Sequence, residues 1–231
     1  PSIALIGHSK DESSYYLRLF PEWQSIDCEN YRGINATDLR RAIFDAGGDL
    51  SQEGSSVVTY LRTVTTSAVI SLLRDFLAQR DVAEVVEEDR FIQDYKKGWA
   101  NSPYPPTFVT VAAVVVQSGH VLLVERKTRP GLGQIALPGG FLRKDESLED
   151  GAIRELREDT RIKIPEAVLR GSIRETKVFD YPKRSDRGRT IAHAHLIQLR
   201  DEATLPKVRG SEDSPGALWV SFNQIDPQRM F

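Results

Sequence analysis

Three carboxylates, Glu155, Glu158 and Asp159, fall on a stretch that reads as a helix, and Glu146 precedes them on a glycine-led loop. At about 100° per residue the three span an arc of about 100° on one helical face. Like charges held that close repel one another unless cations sit among them. Hard oxygen donors in such a cluster suit Mg²⁺ or Mn²⁺. Ser147 and Asp150 have capping-pair spacing, so the helix is expected from about Leu148 to Thr160. Leu148, Ala152, Ile153 and Leu156 occupy the adjoining arc and can bury against a sheet. A solvated acidic face paired with Arg154 and Arg157 is the commoner outcome for such a helix. Against that outcome stand the Gly139-Gly140 turn, the isolated Glu146 and the spacing between them.

A second group of charges lies between Phe179 and Arg189. It holds the cations Lys183, Arg184, Arg187 and Arg189 and the acids Asp180 and Asp186. A diphosphate needs several positive partners, and Arg187-Gly188-Arg189 offers two around a flexible glycine. Phe179 or Tyr181 can stack on a base or simply pack the loop. His193 and His195 alternate on a strand and so face one side; packed or hydrogen-bonded histidines are preferred there to a metal pair. Net charge of −2 argues against a nucleic-acid coat or an anionic-membrane binder. The longest strictly apolar run, Val111–Val116, cannot cross a bilayer. A single cysteine, Cys28, excludes an internal disulfide and a cysteine zinc cluster, and fits a reducing cytoplasm.

Two sets of elements must position these residues. Val109–Val116 reads as a buried strand, Ser118-Gly119 as a turn, and Val121–Val124 as the hairpin partner. Further strands are expected at Ala167–Glu175, Thr190–Leu199 and Ala217–Val220, which with the helix make a layered α+β domain. Upstream, Ser2–Ile6 and Ser25–Cys28 are strand candidates, and Ser13-Ser14 can open a helix. Thr37 is expected to cap a helix through Phe44, ended by Gly47-Gly48. Helical spacing returns from Val57 to Leu77 and again over residues 81–97. Pro103, Pro105 and Pro106 then break any helix, so a stiff linker is expected over 98–106. The domains are accordingly expected at 1–100 and 101–231.

The acidic segment resembles the Nudix box: Gly, five residues, Glu, seven residues, Arg-Glu, an aliphatic, any residue, Glu-Glu, any residue, Gly, an aliphatic. Gly140, Glu146, Arg154, Glu155, Leu156, Glu158 and Ile162 match in register. Asp159 stands for the second Glu of the pair, one methylene shorter. Arg161 stands for the closing Gly, and a left-handed backbone there would cost roughly 1–2 kcal/mol. The resemblance implies a Mg²⁺- or Mn²⁺-dependent hydrolase of a diphosphate joined to another moiety. It makes Glu155, Glu158 and Asp159 catalytic metal ligands with the Gly140 carbonyl nearby, and Glu146 and Arg154 braces of the loop and helix. The general base stays open among Glu155, Asp186 and Glu212.

Residues 104–111, Leu137–Phe141 and the Phe179–His193 loop together resemble one subfamily, the bifunctional nicotinamide mononucleotide (NMN) adenylyltransferase/Nudix hydrolases. The upstream half agrees: Ile6–Leu17, Phe20-Pro21-Glu22-Trp23 and Ile34-Asn35-Ala36-Thr37-Asp38-Leu39-Arg40 are similar to the later part of their adenylyltransferase domain. The resemblance implies the rear part of a Rossmann-like nucleotidyltransferase domain followed by a Nudix α/β/α sandwich. It makes Asn35, Thr37 and Arg40 the remnant of an ATP site, and Phe179, Arg184, Arg187 and Arg189 contacts to a nucleotide substrate, ADP-ribose, split to AMP and ribose 5-phosphate. The family's His-x-Gly-His motif has no counterpart among His8, His120, His193 and His195, and the family usually runs on beyond Phe231 into a helix. A chain clipped at both ends is therefore expected, with NAD synthesis left to a full-length parent. Ile3, Leu5 and Ile6 would then be uncovered, and a homo-oligomer is one way to cover them. Two other readings stand beside the hydrolase: a non-catalytic ADP-ribose sensor, and adenylyl transfer once the missing part is supplied.

Overall fold

In a computed structural model the described residues are 3–7, 12–29, 33–210 and 216–231. They form two compact units that divide at Glu87/Glu88, inside a single helix.

The first unit opens with two parallel strands, β1 (Ala4–Gly7) and β2 (Gln24–Asp27), joined through a 3₁₀ helix over Glu12–Arg18. Ile3 and Ile6 are exposed there, as expected, while Leu5 is half-buried. Helix α1 (Ala36–Asp45) begins two residues earlier than the sequence suggested. Its cap is Asn35, not Thr37: the Asn35 side chain accepts the Asp38 amide at 2.9 Å. The 57–77 stretch is two helices, α2 (Ser56–Val64) and α3 (Ser67–Leu77). Thr65 and Thr66 are extended between them, and the Thr66 hydroxyl caps α3 by accepting the Val69 amide. Ile43, Leu50, Val57, Val58, Leu61 and Ile70 from these helices close into one core.

Helix α4 (Arg80–Lys97) carries the chain from one unit into the other. Residues 98–106, expected to be a linker, belong to the second unit, because Tyr95 and Trp99 both set their rings edge-on to Phe108 at 5.8 and 5.5 Å. That unit is built on a seven-stranded sheet. Strands β3 (Thr107–Gln117) and β4 (His120–Glu125) form the expected hairpin, turned by Ser118 and Gly119 at φ 47° and 72°. The hairpin pairs only at its closed end. Beyond it β3 turns its edge to β6 (Gly139–Phe141), while β4 pairs with β5 (Ile135–Ala136) and, on its far edge, with β9 (Ala217–Ser221). On its other side β3 runs parallel to β8 (Arg189–Gln198), which pairs antiparallel with β7 (Ile173–Phe179).

Helix α5 (Leu148–Thr160) forms over the span its pattern predicts, capped by Ser147. Its buried Ala152, Ile153 and Leu156 lie over one face of the sheet, where Ile153 and Leu156 share a core with Ala113, Val115, Leu122 and Ile197. The expected strand at 167–175 is helical in its first half, α6 (Glu166–Gly171). Pro165 starts that turn, and its fully buried Leu169 joins the same core. The other sheet face, bearing Phe108, Thr110 and Ala112, meets the latter part of α4. No described helix is long and apolar enough to cross a membrane.

Candidate active site

Ser147 starts α5 by accepting the Asp150 amide, which turns Arg154, Glu155, Glu158 and Asp159 toward β6. Arg154 is the hub of this edge. Its Nε and Nη2 donate to the two oxygens of Glu146 at 2.8 and 2.6 Å, a bidentate pair with side chains only 16% and 11% exposed. The Arg143 amide adds a third bond to Glu146 at 2.8 Å. The Arg154 guanidinium, helped by that amide, lowers the Glu146 carboxyl to about 2, and Glu146 in turn raises Arg154. Gly151 leaves room for the pair, since a Cβ there would sit 3.0 Å from Glu146 Oε1. Glu146 and Arg154 thus tie the loop after β6 to the helix.

The remaining guanidinium nitrogen, Arg154 Nη1, donates to Glu155 at 2.7 Å and to Glu158 at 2.9 Å. Two carboxylates therefore converge on one cationic atom. Glu155 is mostly buried, and burial pushes its carboxyl up while Arg154 pulls it down. Glu158 is half-exposed and also accepts from Arg143 at 3.3 Å. Asp159 points differently: its Oδ2 accepts the Gly139 amide at 3.0 Å. Among the described residues no three His, Cys, Asp or Glu side chains gather closely enough to enclose a metal. The donors do fit a hard cation in kind. All are carboxylate oxygens, and two of them already share a positive charge supplied by the protein itself.

Gly139 and Gly140 are required by close approach. A Cβ on Gly139 would lie 2.3 Å from the Val111 carbonyl oxygen, and one on Gly140 would lie 2.5 Å from Glu155 Oε1. The helix ends at Arg161, which takes the left-handed conformation (φ 49°, ψ 26°) where the Nudix pattern has Gly.

Gly139, Gly140 and Phe141 of β6 also line a cavity of about 570 Å³. Thr110, Ala112, Thr190 and Ala192 of the sheet form its floor, and Phe141 and Ile92 wall it. Three arginines reach it: Arg126, Arg184 and Arg187. Arg126 donates through Nε to the Pro130 carbonyl at 2.8 Å and lies 3.8 Å over the Phe231 ring. Arg187 lies over the rings of Phe141 and Tyr95, at 5.1 and 5.9 Å. Burial lowers both guanidinium groups, and for Arg126 the nearby Arg187 adds to the effect. Partly dehydrated cations beside the apolar Ile92 and Phe141 have the chemistry that suits a multiply charged anion carrying an apolar group.

Of the loop residues singled out in the sequence, Arg184, Arg187 and Asp186 line this cavity. Phe179 and Arg189 lie outside its lining: Phe179 is exposed beside Lys177, and Arg189 donates to the Asp180 carbonyl. Glu212 falls outside the described residues. His195 is buried and hydrogen-bonded through Nδ1 to Thr176 at 3.0 Å. In the first unit Thr37 and Arg40 are exposed on the first two turns of α1. Arg126, Glu88, Ile92 and Phe141 were not singled out as site residues. Only Arg126 carried a usable signal, a cation at the end of a strand and just ahead of a glycine-rich loop.

Two crystal structures of a bifunctional NMN adenylyltransferase/ADP ribose pyrophosphatase from Francisella tularensis are similar to this chain at 37% and 36% identity, with TM-scores of 0.76 and 0.75. Each likeness covers 96% of this chain and 62% of that one, and the second structure holds AMP and a Mn ion. The ADP-ribose pyrophosphatase of Methanocaldococcus jannaschii is 31% identical over 117 residues, 51% of this chain and 63% of that protein. The chain thus spans less than two thirds of the length of each of these relatives. The NUDIX domain family matches residues 106–231, the stretch that carries the acidic helix, its glycine strand and most of the cavity. The chain belongs to the NUDIX family, its matching residues preceded by a Rossmann-like nucleotidyltransferase segment.

Proposed function

We propose that the second unit hydrolyses ADP-ribose, adding water across the diphosphate to give AMP and ribose 5-phosphate. One observation carries this reading. Gly139 and Gly140 line the three-arginine cavity and also meet the acidic helix: a Cβ on Gly140 would lie 2.5 Å from Glu155 Oε1, and the Gly139 amide donates to Asp159 at 3.0 Å. A diphosphate bound by Arg126, Arg184 and Arg187 would lie against the strand that Glu155 and Asp159 meet from α5. Phe141 and Ile92 offer apolar surface to the nucleoside end.

Glu155, Glu158 and Asp159, with the Gly140 carbonyl, are the groups that would hold Mg²⁺ or Mn²⁺. Bound there, the ion supplies polarisation of the phosphoryl oxygens and a nucleophile at neutral pH. Glu146 holds Arg154, and Arg154 keeps Glu155 and Glu158 directed at one point. Proton removal from the attacking water falls to Glu155, whose raised carboxyl suits a base, or to Asp186, which lines the cavity. A cytoplasmic setting belongs to the same reading and rests on the single cysteine.

Purified protein is expected to release AMP from ADP-ribose with Mg²⁺ or Mn²⁺, and Glu158→Gln to abolish the release. Intact ADP-ribose after long incubation at saturating metal would sink the proposal. A binding-only reading draws on the Arg154 guanidinium shared by Glu155 and Glu158, since a carboxylate pair neutralised by its own arginine needs no divalent ion. Calorimetric titration with ADP-ribose separates the two. Binding heat that ignores metal, with no AMP formed, favours the sensor.

A further inference from the structure

One wall of the cavity is built by residues that precede the NUDIX match. Glu88 and Ile92 line it from α4, and Tyr95 supports Arg187 from the next turn. Glu88 also grips the loop that carries Arg126. Its Oε2 accepts from Arg129 Nη1 at 3.2 Å, and its Oε1 accepts the Gly131 amide. Between those two points the Pro130 carbonyl accepts Arg126 Nε at 2.8 Å. The base of the loop is closed independently, by Arg126 N–H to Gln134 O and Gly133 N–H to Arg126 O, each 2.8 Å. Gly131 and Gly133 hold φ near +78° and +79°. Glycine enters that conformation easily and leaves it as easily, so Glu88 adds an outside anchor to the one the loop supplies itself, Gln134 N–H to Gly131 O at 3.1 Å.

We propose that Glu88 is a positioning residue for the diphosphate site: by holding Arg129 and Gly131 it fixes the Pro130 carbonyl that aims Arg126 into the cavity. The proposal rests on the reading of the cavity as the place where ADP-ribose binds. With Nε committed to Pro130, Arg126 presents Nη1 and Nη2 to an anion, and the Phe231 ring beneath it limits its tilt. Released from Glu88, the tip would carry Pro130 away and Arg126 would lose its direction. Electrostatics alone predicts the opposite sign. Neutralising an acid on the cavity wall should strengthen anion binding, so weaker binding would identify positioning rather than field.

The test uses the full chain with Glu88→Ala and Glu88→Gln, reading KM and kcat for ADP-ribose together with hydrogen–deuterium exchange. Glu88→Ala is expected to raise KM tenfold or more with kcat within threefold, and to speed exchange over 126–134 at least tenfold while α5 is unchanged. Glu88→Gln keeps an acceptor for Gly131 but loses the charge facing Arg129, and should fall between. A KM that is unchanged or lowered overturns the proposal, as does exchange that rises equally throughout the unit. If wild-type protein leaves ADP-ribose intact, the functional reading fails separately, and calorimetry with inorganic pyrophosphate takes the place of KM. Binding weakened tenfold by Glu88→Ala then still supports the clamp, and unaltered binding overturns it.

Discussion

Gly140→Ala isolates the contact between β6 and the acidic helix. The new Cβ would stand 2.5 Å from Glu155 Oε1 and 2.7 Å from its Cδ, against an ordinary contact of 3.4 Å or more. The shortfall of about 0.9 Å must be met by movement. The near atoms belong to the end of a flexible side chain, so Glu155 yields before the strand does, and its 2.7 Å bond to Arg154 is strained or broken. Stability should fall by only about 1 kcal/mol, the low end for an overpacked site. Activity should suffer more: a displacement of about 1 Å at a reacting group costs on the order of 10²-fold in rate. Gly139→Ala is the counterpart. Its Cβ would strike the Val111 carbonyl at 2.3 Å and Ala112 Cα at 2.9 Å, both backbone atoms of β3 locked in register with β6. There the fold itself should give, by about 3 kcal/mol or more. The pair is read by urea unfolding beside single-turnover hydrolysis of ADP-ribose at saturating Mg²⁺. Gly140→Ala within threefold of wild-type activity would refute the claim that Glu155 must hold its observed position. So would an activity loss matched by the fraction unfolded.

Arg161→Gly should stabilise the second unit, because the left-handed cost of roughly 1–2 kcal/mol exceeds the roughly 0.4–1 kcal/mol that glycine gives back to the unfolded chain. A net gain of about 0.5–1 kcal/mol raises the calorimetric midpoint by about 1–4 °C, whereas Arg161→Ala, which keeps a Cβ, should gain nothing. Glu146 provides a pH signature. Its folded carboxyl lies at about 2, below the ordinary 4.5, through Arg154 first and the Arg143 amide second. A depressed carboxyl contributes fully above pH 4.5 and loses that contribution as pH falls toward 2, so stability differences between wild type and Glu146→Gln should be constant above about pH 5 and vanish near pH 2. Urea midpoints of the two proteins across that range check it; a gap that persists at pH 2 contradicts the pairing.

The acidic helix was legible because every signal on it is local. A cap at Ser147, a 3.6-residue apolar period and a fixed spacing from Gly140 all fall within about twenty residues. Arg161 shows the same legibility at a single residue: the position where the pattern wants glycine is the one whose backbone is left-handed. The strands β5 and β6 were not legible. They are two and three residues long, and β6 begins with two glycines, so neither alternation nor β-propensity could mark them. The α1 cap is ambiguous in sequence for a related reason, since Asn35 and Thr37 both suit the role and only the backbone, extended at Asn35, decides.

The cavity was hidden for a deeper cause. Its arginines come from the end of β4 and from the β7–β8 loop, and its wall comes from α4, before the family match begins. No period links such residues; only the sheet brings them together, through the parallel register that sets Thr110 beside Ala192. Ala113 and Val115 of the same strand pack with Ile153 and Leu156 of α5, so one strand serves the core on one face and the cavity on the other. The two clusters share one strand, β6, whose Gly139 and Gly140 line the cavity and also meet Asp159 and Glu155 of α5. Replacing either glycine should therefore be felt on both sides at once, which neither cluster read alone would suggest.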